Sequence, residues 1–109
     1  ITLTLRLGAL GIENSTQVVA YDASGGMYAA RLWWMLRWVG HGQVAVLDGG
    51  WAAWVDAGHP VTAAVPDPRP TTFNPNLQPD RATDAGYLAA HLNEVCVMDA
   101  RSGPAFAGI

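Results

Sequence analysis

VVAYDASGGMYAARLWWML, residues Val18 to Leu36, decides how this chain folds. Val18 to Tyr21 is apolar without alternation, which predicts a strand buried on both faces, as in a parallel sheet. Small residues and two glycines follow, from Asp22 to Gly26. From Met27 to Val39 only Arg31 and Arg37 interrupt the apolar character, and Gly40 closes the segment. A helix this apolar around its circumference is expected to pack on a sheet and a neighbour rather than float on the surface.

Outward from this stretch the same grammar repeats. VAVLDGG, residues 44–50, reads as the next buried strand and ends in a glycine pair. Trp51, Trp54 and Val55 then share one face of a short helix stopped by Gly58 and Pro60. Strand, helix, strand, helix is the alternation of an α/β domain with a parallel sheet. Upstream, Leu3, Leu5 and Leu7 alternate as in a strand, while Leu3, Leu7 and Leu10 also fit one helical face ending at Gly11. Periodicity leaves both open.

Downstream of Val61 the composition changes. Pro66, Pro68, Pro70, Pro75 and Pro79 punctuate residues 62–82, where Phe73 is the exceptional large apolar residue. Each proline fixes φ and removes a donor, so the segment reads as an extended linker lying across a surface. Thr83 is the expected cap of a helix carrying Tyr87, Leu88 and Leu92, with Asp84 near its positive end. VCVMD, residues 95–99, reads as another buried strand. The expected organisation is the second half of one α/β unit in residues 1–61, a linker in 62–82 and the start of a second unit in 83–109.

Bulk properties narrow the function. Half of the 109 residues are hydrophobic and 14% are charged, so the chain buries a core and is not disordered. Net charge is −3, with no basic cluster, which argues against nucleic acid or an anionic membrane as partner. No apolar run approaches the roughly 20 residues that span a bilayer. One cysteine excludes an internal disulfide framework and a multi-thiolate zinc site. A cytoplasmic setting is the working expectation, and no cofactor is called for.

The loop Asp22, Ala23, Ser24, Gly25, Gly26 has the form of an anion cradle. Glycines between a parallel strand and a helix let backbone N–H groups point inward, where the helix N-terminus adds partial positive charge. A cysteine at the first position would be favoured there as thiolate. Asp22 holds that seat instead. It either caps the helix and closes the loop or serves as a phosphate-accepting carboxylate, and the second role lacks companion acids for a metal. Cys96, flanked by Val95 and Val97, reads as a small buried hydrophobe. His41, His59 and His91 have no metal-ligand spacing and default to turn or surface positions. The five tryptophans read as core packing, and the glycines of LDGGW as a tight turn between strand and helix.

These residues resemble a known family. VVAYDASGGMYAARLWWMLRWVGHGQVAVLDGGWAAWVDAGHPV looks like the closing half of the first domain of a tandem-domain rhodanese, through AARLWWMLR, Gly40-His41, VLDGGW, Trp54 and Gly58. VMDARSGPAFAG is similar to the opening of that family's second domain. The resemblance implies a rhodanese-like parallel sheet with helices on both faces, present here in part, and a helix for Leu3 to Leu10. It implies a thiosulfate or 3-mercaptopyruvate sulfurtransferase that carries sulfane sulfur as a cysteine persulfide to a thiol or cyanide acceptor. In such proteins the nucleophile stands in the second domain, and the first often carries Asp in the equivalent loop. Asp22 matches that silent seat, and the nucleophile is expected beyond Ile109.

The resemblance also casts Met27 and Tyr28 as apolar wall of a substrate pocket facing the second domain. Family members often have a substrate-binding arginine before the aromatic residue of the second loop. Here Ala105 precedes Phe106, which puts carboxylate-bearing donors in doubt or else requires another arginine. Arg101 reads as a structural residue, paired with Asp99 or with backbone carbonyls. The alternative to an enzyme is a catalytically silent rhodanese-like module used for interaction or regulation. A small anion-binding α/β domain is the reading reached without the resemblance.

Overall fold

A computed structural model describes residues 2–109. The elements, in chain order, are α1 (Thr2–Ala9), β1 (Val18–Ala20), α2 (Met27–Trp38), β2 (Val44–Val46) and α3 (Gly50–Asp56). After them come a 3-10 turn (Pro79–Arg81), α4 (Ala85–Ala90) and α5 (Gly103–Phe106). β1 and β2 pair in parallel, with Val18 opposite Val44, Val19 opposite Ala45 and Ala20 opposite Val46. A parallel pair needs a crossover, and α2 supplies it. The chain is thus mixed α/β with a small parallel sheet, as a partial rhodanese-like fold requires, and α1 takes the helical option for Leu3 to Leu10.

The core lies on one face of this pair. Leu7, Leu36, Val39, Val44 and Phe73 are buried together, with Leu3, Ile12, Val18, Leu32, Trp33 and Trp38 packed against them. Leu36 is fully enclosed, which stabilises the fold by about 1.5–3 kcal/mol relative to exposure. Successive strand residues point to opposite faces. Val18 therefore joins the core while Val19 faces the other way and is half-exposed, and Val46 is exposed too, so the two strands are covered on one face and not on both as expected. α2 is less enclosed than its composition suggests, since Met27, Tyr28 and Trp34 are exposed.

The proline-rich segment is docked rather than loose. Phe73 inserts into the core at 5% exposure. The Thr71 N–H donates to the Gly8 carbonyl, Asn76 N–H to Val39, and Gln78 N–H to Trp38, each at 2.8 Å. Asn14 and Asn74 exchange hydrogen bonds of 2.7 and 2.9 Å. Gly8 and Gly40 permit this approach, because a Cβ on either would collide with the segment's backbone, at Thr71 and Asn76 respectively.

Beyond Arg81 three expectations change. Residues 95–99 form no strand, and Val95, Cys96, Val97 and Met98 are exposed. A parallel strand exists only through neighbours that satisfy its N–H and C=O groups, and among the described residues none pairs with this run. The helix cap is Asp84, not Thr83: the Asp84 Oδ1 accepts the Tyr87 N–H at 2.7 Å. Leu92 falls past the end of α4.

Candidate functional site

The loop after β1 is organised by one carboxylate. Oδ1 of Asp22 accepts the N–H groups of Ser24 and Gly26, both at 2.8 Å. Oδ2 accepts those of Tyr28 at 3.0 Å and Ala29 at 2.8 Å. Gly25 and Gly26 turn the chain at φ 78° and 94°, a region open to glycine at little cost. The amides that would cradle an external anion thus converge on Asp22 instead. The Ala29 N–H, then those of Ser24, Gly26 and Tyr28, hold its carboxyl below the ordinary aspartate value, with partial burial opposing. Of the two uses open to Asp22, this geometry is the cap.

The second glycine pair locks the first loop in place. Gly49 and Gly50 take φ of 75° and 61°, starting α3 so that the Trp51 N–H donates to the Asp22 carbonyl at 3.0 Å. A Cβ at Gly50 would strike that same carbonyl oxygen. LDGGW is therefore the tight turn expected of it, and it brings Trp51 over Tyr21, ring centroids 6.1 Å apart.

This places an apolar cleft of about 520 Å³ beside the loop, lined chiefly by Val19, Tyr21, Leu47, Trp51, Trp54 and Val61. Sequence reasoning missed it by assigning all the tryptophans to the core. Trp51 is 40% exposed, and Trp54 is held by its Nε1–H donating to the Pro60 carbonyl at 2.9 Å. Met27 and Tyr28 do not line this cleft; they stand exposed at the start of α2, next to the Asp22 loop.

His41 is not a surface residue. It is buried against Phe73 (ring centroids 5.6 Å) with Nε2 2.8 Å from the Thr16 carbonyl. A carbonyl only accepts, so Nε2 carries the hydrogen. Gly40 marks the end of α2 in the sequence but carries no sign of which way the ring beside it turns. His59 packs on Trp54, and His91 stacks on Tyr87. Among the described residues no group of three His, Cys, Asp or Glu side chains is placed to hold a metal.

In the second loop Arg101 pairs with Asp99, as expected. Its Nη2 lies 2.6 Å from Oδ2, and its Nε 3.0 Å from both carboxylate oxygens. The guanidinium and the Arg101 N–H hold the Asp99 carboxyl below its ordinary value. Ser102 caps α5 by accepting the Ala105 N–H. Cys96 is exposed, with no hydrogen-bond partner among the described residues. No helix of the described residues is long and apolar enough to cross a membrane.

Comparison with known proteins agrees with this architecture. The family model "Rhodanese-like domain" matches residues 2–57. Over 73 residues, 65% of this chain, it is 48% identical to "Thiosulfate sulfurtransferase" of Cricetulus griseus, covering 25% of that protein. It is 40% identical across 97% of its length to "Probable 3-mercaptopyruvate sulfurtransferase" of Pseudomonas aeruginosa, covering 38% of it. Identity to "3-mercaptopyruvate sulfurtransferase" of Mus musculus is 35% across 93% of the chain and 35% of that relative. The chain therefore spans about a quarter to two fifths of the length of these relatives. A parallel pair bridged by an apolar helix, a glycine-turned loop at its end and this kinship make the chain a member of the rhodanese-like domain family.

Proposed function

We propose that the chain is the silent part of a tandem sulfurtransferase. Residues 1–61 belong to a first rhodanese-like domain without a nucleophile, 62–82 to a linker, and 83–109 to the start of a catalytic second domain. The observation that carries this reading is the filled cradle, in which four backbone N–H groups point at the carboxylate of Asp22. A loop whose amides are taken by its own side chain neither activates a thiol nor holds an anionic donor. The loop's role is to stiffen the start of α2, so that Met27 and Tyr28 present an apolar wall to the second domain.

In the whole protein a cysteine thiolate beyond Ile109 attacks the outer sulfur of thiosulfate. The S–S bond breaks and sulfite departs with the electron pair, leaving a persulfide. Cyanide or a thiol then attacks the persulfide's outer sulfur, and the cysteine leaves as thiolate. With Ala105 before Phe106, this chain supplies no arginine at the position that would meet a donor's carboxylate, which favours thiosulfate over mercaptopyruvate.

The test is thiocyanate formation from thiosulfate and cyanide. The 109-residue chain is expected to give none, and the longer reading frame to be active with or without Cys96→Ser. Activity of the isolated chain that disappears with Cys96→Ser would overturn the proposal. A longer frame that is inactive and has no cysteine after a second glycine-turned loop would establish the non-catalytic module instead.

A further inference from the structure

At the far end of α2 from the Asp22 loop, a second and unlike pocket opens. A twelve-residue helix is about 18 Å long, so the two sites are separate. This pocket, about 210 Å³, is lined by Arg37, Gly40, His41, Gly42, Gln78 and Arg81, with no carboxylate among them. It exists because the proline-rich segment docks on the turn after α2: Gln78 N–H donates to the Trp38 carbonyl, and the Arg81 N–H closes the 3-10 turn on Gln78.

Among the described residues neither arginine has a counter-charge within salt-bridge distance. Among the described residues the one ion pair is Arg101 with Asp99. The Arg37 guanidinium lies over the Trp33 ring, 5.5 Å from its centroid, which orients it without using its donors in the ring plane. Arg81 is more telling. Its Nε is shut off from solvent and has no hydrogen-bond partner. A shielded donor of a charged group left without an acceptor is costly, and it leaves the other guanidinium donors of Arg81 as those an ion in the pocket would meet. Two guanidinium forks without carboxylates, beside a glycine-lined turn, suit a compact ion with several acceptor oxygens.

We propose that this pocket binds a doubly charged oxyanion of sulfur or phosphorus, of the class of sulfate, sulfite, thiosulfate or phosphate, between Arg37 and Arg81. Bound there, the ion ties the docked segment to the end of α2 and so stabilises the attachment of residues 71–81. The site stands apart from the proposed sulfur chemistry and does not depend on it.

Calorimetric titration of the full chain with each of the four sodium salts, at ionic strength matched with sodium chloride, tests this. Saturable binding in the millimolar range or tighter is expected for at least one dianion. Arg81→Gln should weaken it by about tenfold or more, as loss of a charge-assisted hydrogen bond would, and Arg37→Gln likewise. Arg101→Gln, outside the pocket, should leave it unchanged. If Arg81→Gln fails to fold, judged by far-ultraviolet circular dichroism, Arg37→Gln alone decides. Preference for sulfite or thiosulfate over phosphate would define a sulfur-oxyanion site, and equal affinity a general dianion site. Absence of saturable binding, or binding that Arg37→Gln and Arg81→Gln both leave intact, would overturn the proposal.

Discussion

Asp22 and Asp99 stand in matching sequence contexts and do different work. Each follows a valine-rich run, and each precedes a short loop leading to a helix. Asp22 gathers four backbone amides and shapes its loop, whereas Asp99 holds a neighbouring guanidinium and one amide. The difference lies in the strand beneath. Val18 to Ala20 is paired with Val44 to Val46, which fixes where the loop begins and aims the following helix back at it. Residues 95–99 have no such partner among the described residues, so their loop closes on side chains within reach in the sequence. Identical grammar yields a built loop only where long-range pairing supports it.

The sharpest way to break this contrast is at the core. Phe73→Ala should destabilise the region built on β1 and β2 by about 3–5 kcal/mol, because it empties a packed site. Phe106→Ala, at a 66% exposed ring, should shift stability by no more than about 0.5 kcal/mol. Urea unfolding followed by tryptophan fluorescence measures both. Equal effects would mean the two regions are equally ordered. Gly40→Ala should come next, at about 1–3 kcal/mol, since φ is 87° there and the new Cβ meets the Asn76 carbonyl.

A subtler probe is pH. Amide donation lowers the Asp22 pKa in the folded state. The carboxylate's contribution is therefore complete above the ordinary aspartate value and is lost as pH falls through the lower, folded one. Asp22→Asn should lower the unfolding midpoint at neutral pH, and its deficit should shrink towards zero in strong acid. A deficit independent of pH would mean that the negative charge plays no part in the cradle. The smallest effect is expected at the exposed pair, where Arg101→Ala should leave the midpoint unchanged within error and insensitive to salt.

Much of the first region was legible in the residues. The apolar runs at Val18 and Val44, the crossover helix between them and the cap role of Asp22 follow from local chemistry that tertiary contacts reinforce. The same reasoning placed Cys96 in a buried strand and left His41 to a turn or the surface, whereas Cys96 is exposed and the His41 ring after its turn is buried. An apolar run signals a capacity for burial, but whether burial occurs depends on partners far away in the chain. A histidine after a helix-ending glycine carries no local sign of which way its ring turns. Thr83 was the expected cap, but α4 begins at Ala85, so Asp84 takes that place.

By itself, the sequence determined the α/β alternation, the glycine turns and the absence of a thiol from the first loop. These depend on residue type and short spacing, which the chain carries everywhere. Tertiary structure alone decided that Phe73 reaches back into the core, that Trp51 and Tyr21 border an open cleft, and that Arg37 and Arg81 line one pocket. Each of these joins residues distant along the chain. Such contacts form only when burial and hydrogen bonding together outweigh the entropy of closing the intervening loop.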